Sequence, residues 1–95
     1  MTKREIVMKI AEETNIKQID VRKVVQQTLD IIAESVINGN KVELRNFGVF
    51  KLKQRKPKLG RNPRTGVAVQ VPARKVAIFK AGLIFKKRLR VLPQA

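Results

Sequence analysis

The 95-residue sequence contains no cysteine and no histidine. Without cysteine, neither a disulfide framework nor a thiolate zinc site can staple so short a chain, which lies near the lower limit for a self-sufficient core. Its stability is therefore expected to come from association with another chain. Without histidine, with Ser35 as the sole serine and with the acids on helix surfaces, no nucleophile, tuned base or metal site can be assembled. An enzyme, a cofactor and a small-molecule substrate are accordingly not expected. Aromatics are confined to Phe47, Phe50, Phe79 and Phe85, placed as core residues. That leaves no stacking platform of the kind single-stranded RNA recognition favours, which weighs against a small RNA-binding or ribosomal protein. No apolar run approaches the length of a membrane span, and Met1–Glu5 leads straight into a helical pattern rather than a signal peptide. A soluble, intracellular protein is the expectation. A basic amphipathic membrane binder is suggested only by the last helix.

Acidic residues are also scarce, and unevenly so. Of 22 basic and seven acidic side chains, residues 1–40 hold six of each: Lys3, Arg4, Lys9, Lys17, Arg22 and Lys23 against Glu5, Glu12, Glu13, Asp20, Asp30 and Glu34. Residues 41–95 keep 16 basic groups and one acid, Glu43, so the whole net charge of +15 sits there. A neutral part beside a strongly basic one reads as an assembly region beside a polyanion-binding region.

The patterning divides at the same place. Thr2-Lys3-Arg4-Glu5 fits a capping box, and Ile6, Val7, Ile10 and Ala11 follow at helical spacing until Thr14-Asn15. A longer helix is expected from about Lys17 to Ile37, with Val21, Val24, Val25, Thr28, Leu29, Ile32 and Val36 on one face. Ile31 and Ile37 make that face wider than one short helix could cover. Asn38-Gly39-Asn40 ends it. From Lys41 the period becomes two: Val42 and Leu44, a turn at Asn46-Phe47-Gly48, then a strand from Val49 with Phe50 and Leu52 opposite Lys51, Lys53 and Arg55. Strand patterning resumes at Gly66 and runs through Val67, Val69, Val71, Val76 and Ile78, with Pro72 expected on an edge or bulge. A last helix is expected from about Gly82 to Val91, turning Ile84, Phe85, Leu89 and Leu92 to the core and Lys86, Lys87, Arg88 and Arg90 outward.

The stretch from about Gln54 to Arg74 has too little apolar surface to fold back on a body. It reads as two extended strands joined through Arg61-Asn62-Pro63-Arg64-Thr65-Gly66. About seven residues at roughly 3.3 Å each would carry such an arm about 20–25 Å, enough to follow a duplex groove part of the way around. Lys56, Lys58, Arg61 and Arg64 would ride on it and neutralise phosphates. On the residues alone the tip has two readings. Its proline and glycine are ordinary turn chemistry, but Pro63 is also rigid, compact, apolar and without an N–H, which suits insertion between base pairs.

Gly60-Arg61-Asn62-Pro63-Arg64-Thr65-Gly66 resembles the arm tip of the bacterial HU/IHF family of histone-like DNA-bending proteins. Val42–Phe50 and Ala73–Lys80 resemble its flanking strands, and the likeness runs through essentially all 95 residues. The resemblance implies an α+β fold: a helical dimerisation part (1–40), then a three-stranded antiparallel sheet extended into a β-hairpin arm (about 54–74) and a C-terminal helix, forming one intertwined, dimeric domain. It implies double-stranded DNA as partner, a homodimer or a heterodimer with a close paralogue, and a cytoplasmic, nucleoid-associated location. It further implies intercalation by Pro63, with Lys3, Lys53, Arg55, Lys56, Lys58, Arg61, Asn62, Arg64, Arg74, Lys75, Lys80 and Lys86 on phosphate or minor groove. Largely sequence-blind binding is expected, with a site-specific IHF-type factor as the alternative. Two positions depart from the pattern: Asn46 replaces a usual glycine but tolerates left-handed backbone, and Leu83 stands where some members carry lysine.

Overall fold

A computed structural model describes residues 1–61 and 64–93. Contacts group the chain into two compact units, Met1–Glu34 and Ser35–Ala95. In the first, α1 (Lys3–Thr14) starts as its sequence requires: the Thr2 hydroxyl accepts from the Glu5 amide at 3.2 Å. Asn15 closes it in left-handed backbone, φ 58°. Helix α2 (Gln18–Ile37) follows after three residues, and Val7 of α1 and Val21 of α2 are the buried side chains of this unit among the described residues.

The end of α2 lies in the second unit and is a Schellman cap. The Gly39 amide donates to the Val36 carbonyl and the Asn40 amide to the Ser35 carbonyl, both at 2.9 Å, with Gly39 at φ 84°. Val36 completes a set of three buried apolar side chains among the described residues. Meanwhile Val24 and Ile31 on α2 are 66% and 57% exposed. Three valines are not a core for a chain of this size. Among the described residues much of the apolar face of α2 stays exposed, Leu29 and Ile37 as well as Val24 and Ile31.

Three strands follow in the order β1 (Val42–Leu44), β2 (Gly48–Arg55) and β5 (Arg74–Ala81), with β2 central and both pairings antiparallel. Asn46 adopts φ 67° in the β1–β2 turn, where the Phe47 amide donates to the Leu44 carbonyl. Asparagine thus fills the left-handed position expected of it. Pairing sets Phe50 against both Val42 and Phe79, so Val42, Leu44, Phe50, Leu52, Ala77 and Phe79 share one face. On that face the four phenylalanines meet, with ring centroids 4.8 Å apart for Phe50–Phe79, 5.2 Å for Phe47–Phe79 and 5.6 Å for Phe47–Phe85. Gly48 makes this possible: a Cβ there would lie 2.5 Å from the Phe79 ring.

Helix α3 (Leu83–Arg90) is capped by Gly82, whose amide donates to the Phe47 carbonyl at 2.8 Å. Phe85 packs with Phe47 and Phe79 as the sequence reading expects, whereas Ile84, Leu89 and Leu92 stay about half exposed. Ile84, Phe85, Leu89 and Leu92 border an open hollow of about 390 Å³ beside Phe47, and Phe47 itself is 45% exposed.

The arm also differs from a simple extension of the sheet. It is a separate two-stranded ladder, β3 (Lys58–Arg61) with β4 (Ala68–Val71). The last pair of the larger sheet is Arg55 with Arg74, and the first of the arm is Lys58 with Val71. Both belong to one register, which places Pro57 across from Pro72 in the gap. Pro72 therefore lies between two edge strands, β4 and β5, in keeping with the edge position expected of it, and not at a bulge. The unpaired stretch is the same length on both sides, so no extra residue is accommodated.

Candidate nucleic-acid interface

The face of the β1–β2–β5 sheet opposite the phenylalanines carries the charge. Alternation puts Lys51, Lys53 and Arg55 of β2 on it, together with Arg74 and Lys80 of β5, interleaved with Val49, Val76 and Ile78. Arg55 stands directly across from Arg74. Like charges at paired positions destabilise a ladder, so this arrangement gains nothing for the isolated fold. It becomes favourable when a polyanion lies against it.

The charge is continuous into the gap. Lys53, Arg55, Lys56, Lys58 and Arg74 surround a cleft of about 420 Å³ whose other walls are Gln54 and the two prolines. Cations of the larger sheet and of the arm thus line one cleft.

The residues implicated from sequence divide accordingly. Lys53, Arg55, Lys56, Lys58 and Arg74 come together at the gap, with Lys80 farther along the same sheet face. Lys75 does not join them: it pairs with Gln54 and belongs to the phenylalanine face. Arg61 is on the arm opposite Ala68, and Arg64 is in the turn beyond it. Asn62 and Pro63 lie outside the described residues. Lys86 is exposed on α3, and helical spacing puts it on one stripe with Leu83, Lys87 and Arg90. Lys3, in the first unit, donates its ammonium to the Gln26 side-chain oxygen, and Gln26 donates in turn to Asp30 at 2.8 Å. Lys51 was not among the expected contacts, although its odd-numbered alternation with Lys53 and Arg55 was a sufficient signal.

Among the described residues no cluster of acids could hold a metal ion, and no helix is long and apolar enough to cross a membrane. A sheet with one aromatic and one cationic face, followed by a separate two-stranded arm that carries Lys58 and Arg61, offers a surface suited to a polyanion. The model of the bacterial DNA-binding protein family matches residues 1–90, and the chain belongs to this HU/IHF family. Integration host factor beta subunits of Haemophilus influenzae are 41% identical over 92 residues, covering 96% of this chain and 98% of theirs. An Anabaena HU solved in a cocrystal with DNA has a TM-score of 0.88 at 35% identity, covering 97% of this chain and 100% of that one. An HU variant from Thermotoga maritima has a TM-score of 0.70 at 25% identity, covering 94% and 99%.

Proposed function

We propose that the protein is a dimeric architectural factor of the bacterial nucleoid that binds double-stranded DNA and bends it. The observation that carries this reading is the Arg55–Arg74 pair within one cationic sheet face, a repulsion that a bound polyanion relieves. The likeness to an HU crystallised with DNA supports a duplex as that polyanion. A second copy, or a close paralogue, covers the exposed face of α2 and gives the particle two arms.

In this reading Lys51, Lys53, Arg55, Arg74 and Lys80 hold the phosphate backbone against the sheet, and Lys56 and Lys58 continue that contact outward. The arms enter the minor groove with Arg61, Asn62 and Arg64 alongside Pro63. The Pro63 ring is the wedge, propping open one base step and offsetting an unstacking cost of about a few kcal/mol. Lys3, Lys75 and Lys86 are proposed as outlying phosphate contacts. Fluorescence energy transfer across a bound duplex tests the wedge. Pro63→Ala should lengthen the end-to-end distance at saturating protein without altering the salt dependence, because no charge is removed. An unchanged distance would leave Pro63 as turn chemistry alone.

A site-specific mode is the second reading, and Glu43 favours it. It is the one acid of residues 41–95, and pairing with Val49 sets it on the cationic face. A carboxylate there is repelled by any phosphate it approaches, so its presence suits discrimination between positions more than uniform affinity. Glu43→Gln should raise affinity for random duplex; in a site-specific factor it should also narrow the ratio of best to random site. Equal ratios before and after would favour the sequence-blind mode, with specificity left to DNA deformability.

A further inference from the structure

The break between sheet and arm has a specific cause in the chain. A proline ring holds φ near −65°, whereas antiparallel strands run near −140°, and neither proline has an N–H to donate. The residues before them, Lys56 and Val71, are confined to extended backbone. A single proline finds a place on one edge of a ribbon while the other strand carries on straight. Here Pro57 and Pro72 occupy facing positions of one register, so both strands leave antiparallel geometry at the same level. Cross-strand pairing is absent from both, over 56–57 and 72–73, and returns in register beyond. The ribbon is interrupted across its full width without a slip.

We propose that Pro57 and Pro72 act together as a positioning pair, a joint that uncouples the pitch of the arm from the sheet and lets one protein fit duplexes of different curvature. The cations around the gap bear on the same point. Lys53, Arg55 and Lys56 repel Lys58 and Arg74 in the free protein, opposing closure of the cleft. A backbone phosphate seated among them removes that repulsion and braces the joint once the arm has found its groove. The joint is a property of the protein alone; its use on duplexes of different curvature rests on the DNA-binding reading above.

The test uses the full-length protein with Pro57→Val and Pro72→Val, singly and together, since valine restores an N–H and suits a strand. In the absence of DNA, amide exchange in Lys58–Arg61 and Ala68–Val71 should slow in the double variant by about tenfold, the effect of about one regained cross-strand bond. Each single variant should lie between. With DNA, an arm of fixed pitch can follow a nicked duplex, which adapts to it, better than an intact one. The nicked-to-intact affinity ratio should therefore rise by about tenfold in the double variant. Unchanged exchange in all three variants would overturn the joint. Slowed exchange with an unchanged affinity ratio would overturn its role in fitting curvature. Failure of the wild-type protein to bind either duplex at low salt would refute the DNA reading instead, and the exchange measurement would still decide the joint.

Discussion

The two faces of the β1–β2–β5 sheet are built from the same three strands and could hardly differ more. One holds Phe50 and Phe79 in ring contact, with Phe47 and Phe85 packed beside them. The other sets Arg55 against Arg74 and lines up Lys51, Lys53 and Lys80. The aromatic face supplies the stability that lets the cationic face remain unfavourable until it meets a partner. In the proposed reading folding and binding are divided between alternate residues of one strand, and substitutions at neighbouring positions should have different kinds of consequence.

The largest expected effect is on the cationic face. If a dimer meets about eight phosphates, the logarithm of the binding constant falls with a slope of about −7 in the logarithm of salt, or about four decades between roughly 50 and 200 mM. A titration losing less than tenfold would mean that this face does not carry the binding. Next comes the aromatic face. Gly48→Ala drives a methyl group into the Phe79 ring and to within 2.6 Å of the Lys80 carbonyl. It should cost about 1–3 kcal/mol of stability, read as a lower melting temperature at fixed protein concentration, while the salt slope of the folded fraction stays unchanged. The smallest effect is the sharpest comparison. Lys51→Ala should reduce the magnitude of the salt slope by about one, whereas Lys75→Ala, on the phenylalanine face, should change it by less. Equal losses from the two variants would erase the distinction between the faces.

Much of this was legible in the chain. Helix limits followed from caps that the sequence states outright, Thr2 before α1 and Asn38-Gly39-Asn40 after α2, and each cap is made by backbone and side-chain bonds within a few residues. The left-handed Asn46 followed from the family resemblance, which places a glycine there. What was missed depends on which strand lies across from which. Pro72 was legible as an edge residue, but that Pro57 lies across from it was not. Lys75 looks like a member of the basic cluster until pairing with Gln54 assigns it to the other face. The open hollow beside Phe47 was likewise hidden, because α3 has an apolar stripe whether its own chain or a second one covers it.

The shared register across the proline gap has a consequence for how such an arm can change in length. Adding or removing one residue in a single strand would shift every later side chain of that strand to the opposite face. Arg61 would change sides with respect to Ala68, and the turn that carries Arg64 would tilt with it. The arm can therefore grow or shrink only by matched steps in both strands. Grafted arms of other lengths should be tolerated when the change is symmetric about the turn, and should fail when the same number of residues is taken from one side.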